Sequence, residues 1–168
     1  MWYGFNWRYD SGLVAAASPC YNPNGANTDC DPATAITVNG QPGIDLSGLS
    51  ADQQFQAGLA CNGVRATYTS GFQQCTVAGL TSKLLQLPAI NTEDADKNPS
   101  RIASRNLFDM AFGDDRIAHF GGDRYRVSAR VTAINMTNKY ALYNFLSTFS
   151  GTHYVTPRAV TGEVSFHF

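Results

Sequence analysis

Four arginines are candidates for binding an anion: Arg8, Arg124, Arg126 and Arg130. The last three are separated by even numbers of residues, so in an extended chain they project from one face. Guanidinium groups on one face could line a path for an anionic solute, because they bind carboxylate and phosphate well. The structural alternative is that each pairs with a carboxylate of a neighbouring strand or of another domain.

No pattern in the sequence predicts catalysis. The three histidines are scattered without an i,i+4 pair, which argues against a metal site. The acidic run at residues 93–96 could bind a cation, but such runs are more often simply solvated. Neither G-x-S-x-G nor H-E-x-x-H occurs. The sequence therefore predicts a protein that is not an enzyme and needs no metal and no cofactor.

The four cysteines form two local pairs, Cys20 with Cys30 and Cys61 with Cys75. Cysteine metal sites usually show C-x-x-C spacing with histidine nearby, and neither feature is present. Two disulfides in an oxidising compartment are therefore favoured over four free thiols in a reducing cytosol. The spacing leaves the connectivity open, because four cysteines allow three pairings.

The composition narrows the class of protein. The 168 residues carry a net charge of −1, so no basic field points to nucleic acid. Charged residues make up only 15% of the chain and aromatic residues 12%, whereas a typical soluble domain is about 25% charged. No stretch approaches the ~20 apolar residues of a membrane helix. These values are compatible with an all-β chain whose apolar residues occupy every second position.

Four long segments show this period of two, at about residues 2–13, 104–115, 123–143 and 154–168. One parity is apolar and the other is polar, as in strands with one face toward an apolar phase. The apolar positions include Tyr3, Phe5, Trp7, Tyr125, Val127, Val131, Val160, Val164 and Phe166. The polar positions include Arg8, Arg124, Arg126, Arg130 and Glu163.

The connections between these strands differ in length. Residues 14–103 form a long segment with six of the seven prolines and all four cysteines, and 144–153 form a shorter loop. Ser50 and Gln53 match a capping box, which predicts a helix over about 51–59. A second short helix or strand is predicted near 80–87. Residues 114–123 contain Gly121-Gly122 and are predicted to form a turn.

Two architectures satisfy this alternation. A soluble sandwich has a core on one side of each sheet and solvent on the other, and an outer-membrane barrel has lipid outside and a polar interior. Three features favour the barrel: long strands, loops of alternating length, and rings at strand ends, namely Trp2, Tyr3, Tyr9, Tyr125, Tyr154 and Phe168. Four strands cannot close a barrel, so the chain is expected to be part of a larger one.

Several motifs resemble a known family. WRYDSGL, then SRNLFDMAFGDD, then RVSARVTAINMTNKYALYNFLSTFSGTHYVTPRAVTGEVSFHF occur in order. Together they are similar to the C-terminal end of TonB-dependent outer-membrane receptors. The greatest similarity is to the Oar-like group, which has a carboxypeptidase-regulatory-like N-terminal domain.

The resemblance implies a barrel of about 22 strands, plugged by an N-terminal domain, that takes up a scarce large solute. The chain would supply barrel closure and outer loops and would not transport alone. Its partners would be outer-membrane lipid, the rest of the barrel and plug, and the barrel-assembly machinery, which would read Phe168. The TonB system would act only through the N-terminal part of the receptor.

The resemblance also implies a topology in the bacterial outer membrane. Phe168 and the turn at 114–123 would be periplasmic, and loops 14–103 and 144–153 would be extracellular. The four cysteines would then lie outside the cell, which agrees with the disulfides predicted from composition. The alternative function is a secreted or surface β-sandwich that binds a partner through its disulfide-stapled loop.

Overall fold

The protein was analysed as a computed structural model that describes residues 1–15, 35–88, 97–121, 124–148 and 150–168. The described part is all-β and antiparallel with one short helix, which confirms the predicted class. None of the sheets formed by these residues closes into a barrel. The described residues contain no helix long and apolar enough to cross a membrane.

The elements follow one another along the chain with these bounds. They are β1 (Trp2–Asp10), β2 (Ala35–Val38), β3 (Gln41–Asp45), α1 (Ala51–Gln56), β4 (Leu59–Cys61), β5 (Val64–Arg65), β6 (Gln74–Thr76), β7 (Leu80–Ser82), β8 (Leu85–Gln86), β9 (Arg101–Ile102), β10 (Arg105–Phe120), β11 (Tyr125–Ile134), β12 (Leu142–Ser147), β13 (Gly151–Tyr154) and β14 (Ala159–His167).

The chain divides into two compact units. Unit 1 comprises Met1–Asp10, Arg105–Ala141 and Val155–Phe168, and unit 2 comprises Ser11–Ser104 and Leu142–Tyr154. Unit 1 contains the four long strands. Unit 2 contains every short strand and the helix.

Unit 1 is a four-stranded sheet in the order β1-β10-β11-β14, with all neighbours antiparallel. The strands are offset along the sheet. β1 extends from Trp2 to Asp10, whereas β14 begins near the middle of the ladder at Ala159. One row across all four strands joins Tyr3, Phe112, Val131 and Gly162.

The strand β10 continues to Phe120, through most of the residues predicted to form a turn at 114–123. Its register against β11 shifts between Asp114 and Ala118, which marks a β-bulge. The bulge accommodates the polar residues that suggested a turn, and the described part of the actual turn includes Gly121, with φ 64°. A bulge adds residues to one strand without ending the pairing.

The strand β11 ends at Ile134, earlier than the predicted boundary at 143. Asn135 follows it in the left-handed region, with φ 48°, and its side chain is buried. The Asn135 amide donates to the Lys139 and Thr156 carbonyls at 3.0 and 2.9 Å. It also accepts from the Lys139 N–H at 2.8 Å. This local network turns the chain out of the sheet, because asparagine tolerates the left-handed conformation and satisfies the freed backbone groups.

The predicted loop at 144–153 is largely a hairpin of β12 and β13. Tyr154, predicted to begin the last long strand, is the last residue of β13 in unit 2. Its hydroxyl donates to the Gln56 carbonyl at 3.2 Å within the same unit. The long C-terminal strand β14 therefore begins at Ala159, after Pro157.

The described residues of the predicted loop 14–103 form eight short strands in addition to a helix. The helix α1 starts with the predicted capping box: the Gln53 N–H donates to Ser50 Oγ at 3.2 Å, and the Ser50 N–H donates to Gln53 Oε1 at 2.9 Å. It ends before the predicted residue 59, because Gly58 adopts φ 64° and Leu59 begins β4.

Unit 2 has its own hydrophobic core. Eleven buried side chains form it: Ile44, Leu46, Ala57, Leu59, Cys75, Leu80, Leu84, Leu85, Ile102, Leu142 and Phe145. The buried Gln54 amide donates to the Leu46, Leu49 and Phe72 carbonyls and accepts from the Phe72 N–H at 2.7 Å. A buried polar group bonded on all sides fixes the loops around it.

One close backbone contact and one surface turn add to the order of unit 2. Gly12 has φ 91°, and a Cβ there would lie 1.8 Å from the Ile102 carbonyl oxygen. Only glycine therefore fits at this point. At the end of β3, hydrogen bonds from the Ser47 side chain and backbone N–H lower the pKa of Asp45.

Candidate functional site: the two faces of the four-stranded sheet

One face of the unit 1 sheet is apolar across all four strands. Residues directly opposite each other in an antiparallel ladder share a face. The register places Phe5 opposite Met110, Met110 opposite Ala133, and Ala133 opposite Val160. The other rows of this face join Trp7 with Phe108, Tyr3 with Phe112, Val131 and Gly162, Asp114 with Ala129 and Val164, Ala118 with Val127 and Phe166, and Phe120 with Tyr125. Asp114 is a charged residue on this face; it lies at the bulge and pairs with the Met1 ammonium at 3.4 Å.

All nine residues predicted to face lipid lie on this apolar face. Its side chains are strongly exposed: Tyr3 is 85% exposed, Phe5 58%, Val160 64% and Phe166 72%. Scattered exposed apolar residues are ordinary, but a continuous apolar surface across a sheet marks an interaction surface. In the described part of the chain, no other residues bury these apolar side chains.

The strands of unit 1 are long. β1 and β14 have nine residues each, β11 has ten, and β10, which contains the bulge, has sixteen. A tilted strand needs about 9–11 residues to cross the hydrocarbon core, whereas strands of soluble proteins most often have about 5–6. The short strands of unit 2, with two to six residues each, follow the soluble pattern.

Rings at the ends of the apolar face meet polar groups. The Trp7 indole N–H donates to Asn106 Oδ1 at 2.9 Å, close to the Asp10 end of the sheet. Tyr9 lies opposite Asn106 on the same face. This combination of an apolar ring and a bonded polar edge is typical of a membrane–water interface.

Trp2 differs from the other predicted interfacial rings because it lies on the polar face. It is opposite Gly113, where a Cβ would come within 2.9 Å of the indole ring. The Trp2 indole N–H donates to Asp115 Oδ1 at 3.2 Å. The ring thus covers the glycine of the neighbouring strand and helps to fix the register.

The polar face carries ion pairs between adjacent strands. Arg8 contacts Asp109 at 3.4 Å, and Arg130 contacts Glu163 directly across the β11–β14 ladder. Arg105 pairs with Asp10 opposite it. The predicted candidates Arg8, Arg130 and Glu163 are therefore in interstrand pairs, which is the structural alternative to an anion path.

Asp109 joins three segments of unit 1. One carboxylate oxygen accepts from Asn6 and Arg8 at 3.3 and 3.4 Å, and the other accepts from the Asn135 N–H at 2.8 Å. The carboxylate therefore connects β1 to β10 and holds the residue at which β11 ends.

A row of basic side chains lies at the other end of the polar face. His119 is opposite Arg126, and Arg126 is opposite His167. The His167 Nε2 and the Ser128 Oγ are 3.3 Å apart. Arg126 makes no ion pair with any residue that the structure describes.

The remaining predicted residues lie at the margins of the sheet. The Arg124 guanidinium is 5.7 Å from the centre of the Tyr125 ring, which is a cation–π contact and not a carboxylate pair. Phe168, the predicted assembly signal, is 98% exposed and follows the last residue of β14. Its role remains a prediction.

The structure bonds Cys61 to Cys75, as one of the predicted pairs. This disulfide joins β4 to β6 in unit 2. Cys20 and Cys30 lie outside the described residues, as does the acidic run at 93–96. Within the described ranges, no group of three or more His, Cys, Asp or Glu side chains could hold a metal ion.

Unit 2 has an open cavity of about 440 Å³ beside β7 and β8, with Lys83 as its charged lining residue. Its size is within the range of ligand cavities. However, the Ser82 hydroxyl in its wall already donates to the Ala57 carbonyl at 2.6 Å and accepts from the Leu84 and Leu85 N–H groups. The cavity gives no indication of a reaction.

The sequence did not reveal the partners that organise the polar face. Asp109 shares the parity of the polar residues, but its bonds to Arg8 and Asn135 depend on strand register. The predicted strand boundary at 143 missed the end of β11 at Ile134, because the sequence does not show the bonds of the Asn135 side chain to Lys139 and Thr156.

Comparison with other proteins does not add to this description. The chain matches none of the protein-family models, curated proteins or solved structures with which it was compared. The functional assignment therefore depends on the two faces of the sheet and on the physical chemistry that they require.

Proposed function

We propose that unit 1 is a wall segment of a bacterial outer-membrane β-barrel of the TonB-dependent receptor class. The observation that carries the proposal is the largely apolar, exposed face of a sheet in which three of the four strands have about the length of a bilayer-crossing strand. Its opposite face is polar and ion-paired, as the interior of such a barrel requires.

The free edges of the sheet support a larger assembly. β1 and β14 are the edge strands, with one neighbour each among the described residues. Unpaired backbone groups are not tolerated in hydrocarbon, so further strands would have to pair with both edges. In this proposal those strands belong to the rest of the receptor barrel.

The receptor as a whole would take up a scarce large solute through a plugged barrel energised by the TonB system. This chain would contribute wall strands and outer loops, and Phe168 would be read by the barrel-assembly machinery. The two segments of unit 2 follow Asp10 and Ala141 in the chain, and in this proposal both would be extracellular. The disulfide between Cys61 and Cys75 supports an oxidising location for these loops.

The test is the environment of adjacent residues on the two faces. Spin labels are attached to cysteines introduced at Val131 and Thr132, and at Val164 and Ser165, in the protein assembled in isolated outer-membrane vesicles. We expect oxygen, which is concentrated in lipid, to relax the labels at 131 and 164 more strongly. A water-soluble nickel complex should act more strongly at 132 and 165.

Protein without an added cysteine gives the background for native thiols. Equal access of the nickel complex to both members of each pair would contradict the membrane assignment. So would absence of the protein from the outer-membrane fraction.

A second function, a secreted or surface binding module, is favoured by one observation. Unit 2 has its own core and a disulfide, as small secreted domains do. This alternative requires another layer over the apolar face of unit 1. If the chain is monodisperse and β-rich in buffer without detergent, the binding module is the better assignment.

A further inference from the structure

The basic row of the polar face, formed by His119, Arg126 and His167, differs from the rest of that face. Three other arginines of the sheet each have a carboxylate partner on the adjacent strand: Arg8 with Asp109, Arg105 with Asp10, and Arg130 with Glu163. Interstrand neutralisation is therefore the rule on this surface.

Arg126 differs from these three arginines. Its direct cross-strand neighbours are His119 on β10 and His167 on β14, and among the described residues no carboxylate forms an ion pair with it. All three side chains are exposed. Glu163 and Asp115 have other partners, since Glu163 contacts Arg130 and Asp115 accepts from the Trp2 indole.

We infer that the basic row docks a carboxylate-bearing polypeptide segment that packs against the polar face of the sheet. The guanidinium of Arg126 offers a planar set of donors for one carboxylate. A neutral imidazole carries one N–H, so His119 and His167 add donors on either side without requiring protonation. The three other arginines named above each pair with a carboxylate carried by polypeptide. We therefore expect Arg126 to bind a carboxylate of another polypeptide segment, and not a free anion.

This inference goes beyond the proposed function, because it concerns only the polar face. It does not depend on which apolar medium covers the opposite face. A barrel interior and a soluble interface would both present the basic row to another polypeptide. If the membrane assignment is wrong, the docking inference can still be tested separately.

The test uses the full chain, labelled with ¹⁵N, in a zwitterionic detergent. The probe is the peptide acetyl-Gly-Asp-Gly-Glu-Gly-amide, and its matched control has Asn and Gln in place of Asp and Glu. We expect the acidic peptide to shift the side-chain N–H signal of Arg126 and the ring signals of both histidines. The amide peptide should leave them unchanged.

The substitution Arg126→Gln should weaken binding about tenfold, the loss of roughly one charge-assisted hydrogen bond. Arg126→Lys should restore part of the affinity, because it keeps the charge but not the planar donors. Arg65→Gln removes an exposed arginine of unit 2 and should leave the affinity unchanged.

Three results would overturn the inference. They are the absence of shifts at millimolar acidic peptide, equal affinity of the wild-type chain and Arg126→Gln, and tighter binding of inorganic phosphate than of the acidic peptide. The last result would identify a small-anion site and not a docking surface for polypeptide.

Discussion

The two units of this chain place similar apolar side chains in opposite surroundings. In unit 2, Phe145 is 1% exposed within a core of small strands and a helix. In unit 1, Phe166 is 72% exposed on a sheet face without a covering layer among the described residues. The apolar side chains of unit 2 are buried against one another, whereas those of the sheet point outward.

The difference lies in where the apolar side chains find apolar contacts. Unit 2 buries its apolar side chains against one another. The sheet has one largely apolar, exposed face and one polar, ion-paired face, and under the proposed function the apolar face would contact lipid. Strand length follows the same division, with two to six residues in unit 2 and nine to sixteen in unit 1.

The largest expected effect comes from deleting a ring in the core of unit 2. Phe145→Ala should lower the free energy of unfolding of unit 2 by about 3–5 kcal/mol, through lost transfer energy and a cavity. Native-state hydrogen exchange of the amides in β4, β7 and β12 measures this loss.

Phe166→Ala removes the same ring from the exposed face and is the matched control. It should change the exchange free energies of those unit 2 amides by less than about 0.5 kcal/mol. Comparable losses of unfolding free energy in both variants would contradict the conclusion that Phe145 is buried in a core and Phe166 is exposed.

A charge placed on either face of the sheet gives the next largest effect. Val131→Arg puts a guanidinium near the middle of the apolar face and should destabilise the membrane-assembled protein by about 2–4 kcal/mol. Urea titration of the folded, heat-modifiable form in isolated outer-membrane vesicles measures the change.

Thr132→Arg adds the same charge one residue further along, on the polar face. It should be much better tolerated, because that face already carries Arg130 and its partner. Equal destabilisation by the two variants would remove the distinction between the faces.

The smallest effect is expected from the exposed ion pair of the polar face. Arg130 and Glu163 have side chains that are 52% and 56% exposed, and pairs in such positions contribute about 0–1 kcal/mol. A double-mutant cycle with Arg130→Gln and Glu163→Gln should give a coupling energy within that range and smaller at high salt. A coupling well above this range would indicate that the pair is shielded from water by an additional layer on the polar face.

The local features of the molecule could be predicted from sequence. Alternation with a period of two placed Tyr3, Phe5 and Trp7 on one face, because successive side chains of any strand point in opposite directions. The capping box at Ser50 also follows from a short spacing. In each case the relevant contacts lie a few residues apart.

Features that depend on distant contacts could not be predicted in the same way. Residues 14–103 lack long-range periodicity, yet they form most of a packed unit, because its core joins Ile44 and Ile102 to Phe145. The end of β11 depends on bonds from Asn135 to Lys139 and Thr156.

By itself, the sequence determined the two chemically distinct faces of the long strands, since side-chain alternation is a property of the extended backbone. The tertiary structure decided the register, and with it the carboxylate partner of Arg8, the bulge after Asp114 and the row that places Arg126 between His119 and His167. It also decided which apolar side chains are buried. Burial depends on segments that are far apart in the chain and meet only after folding.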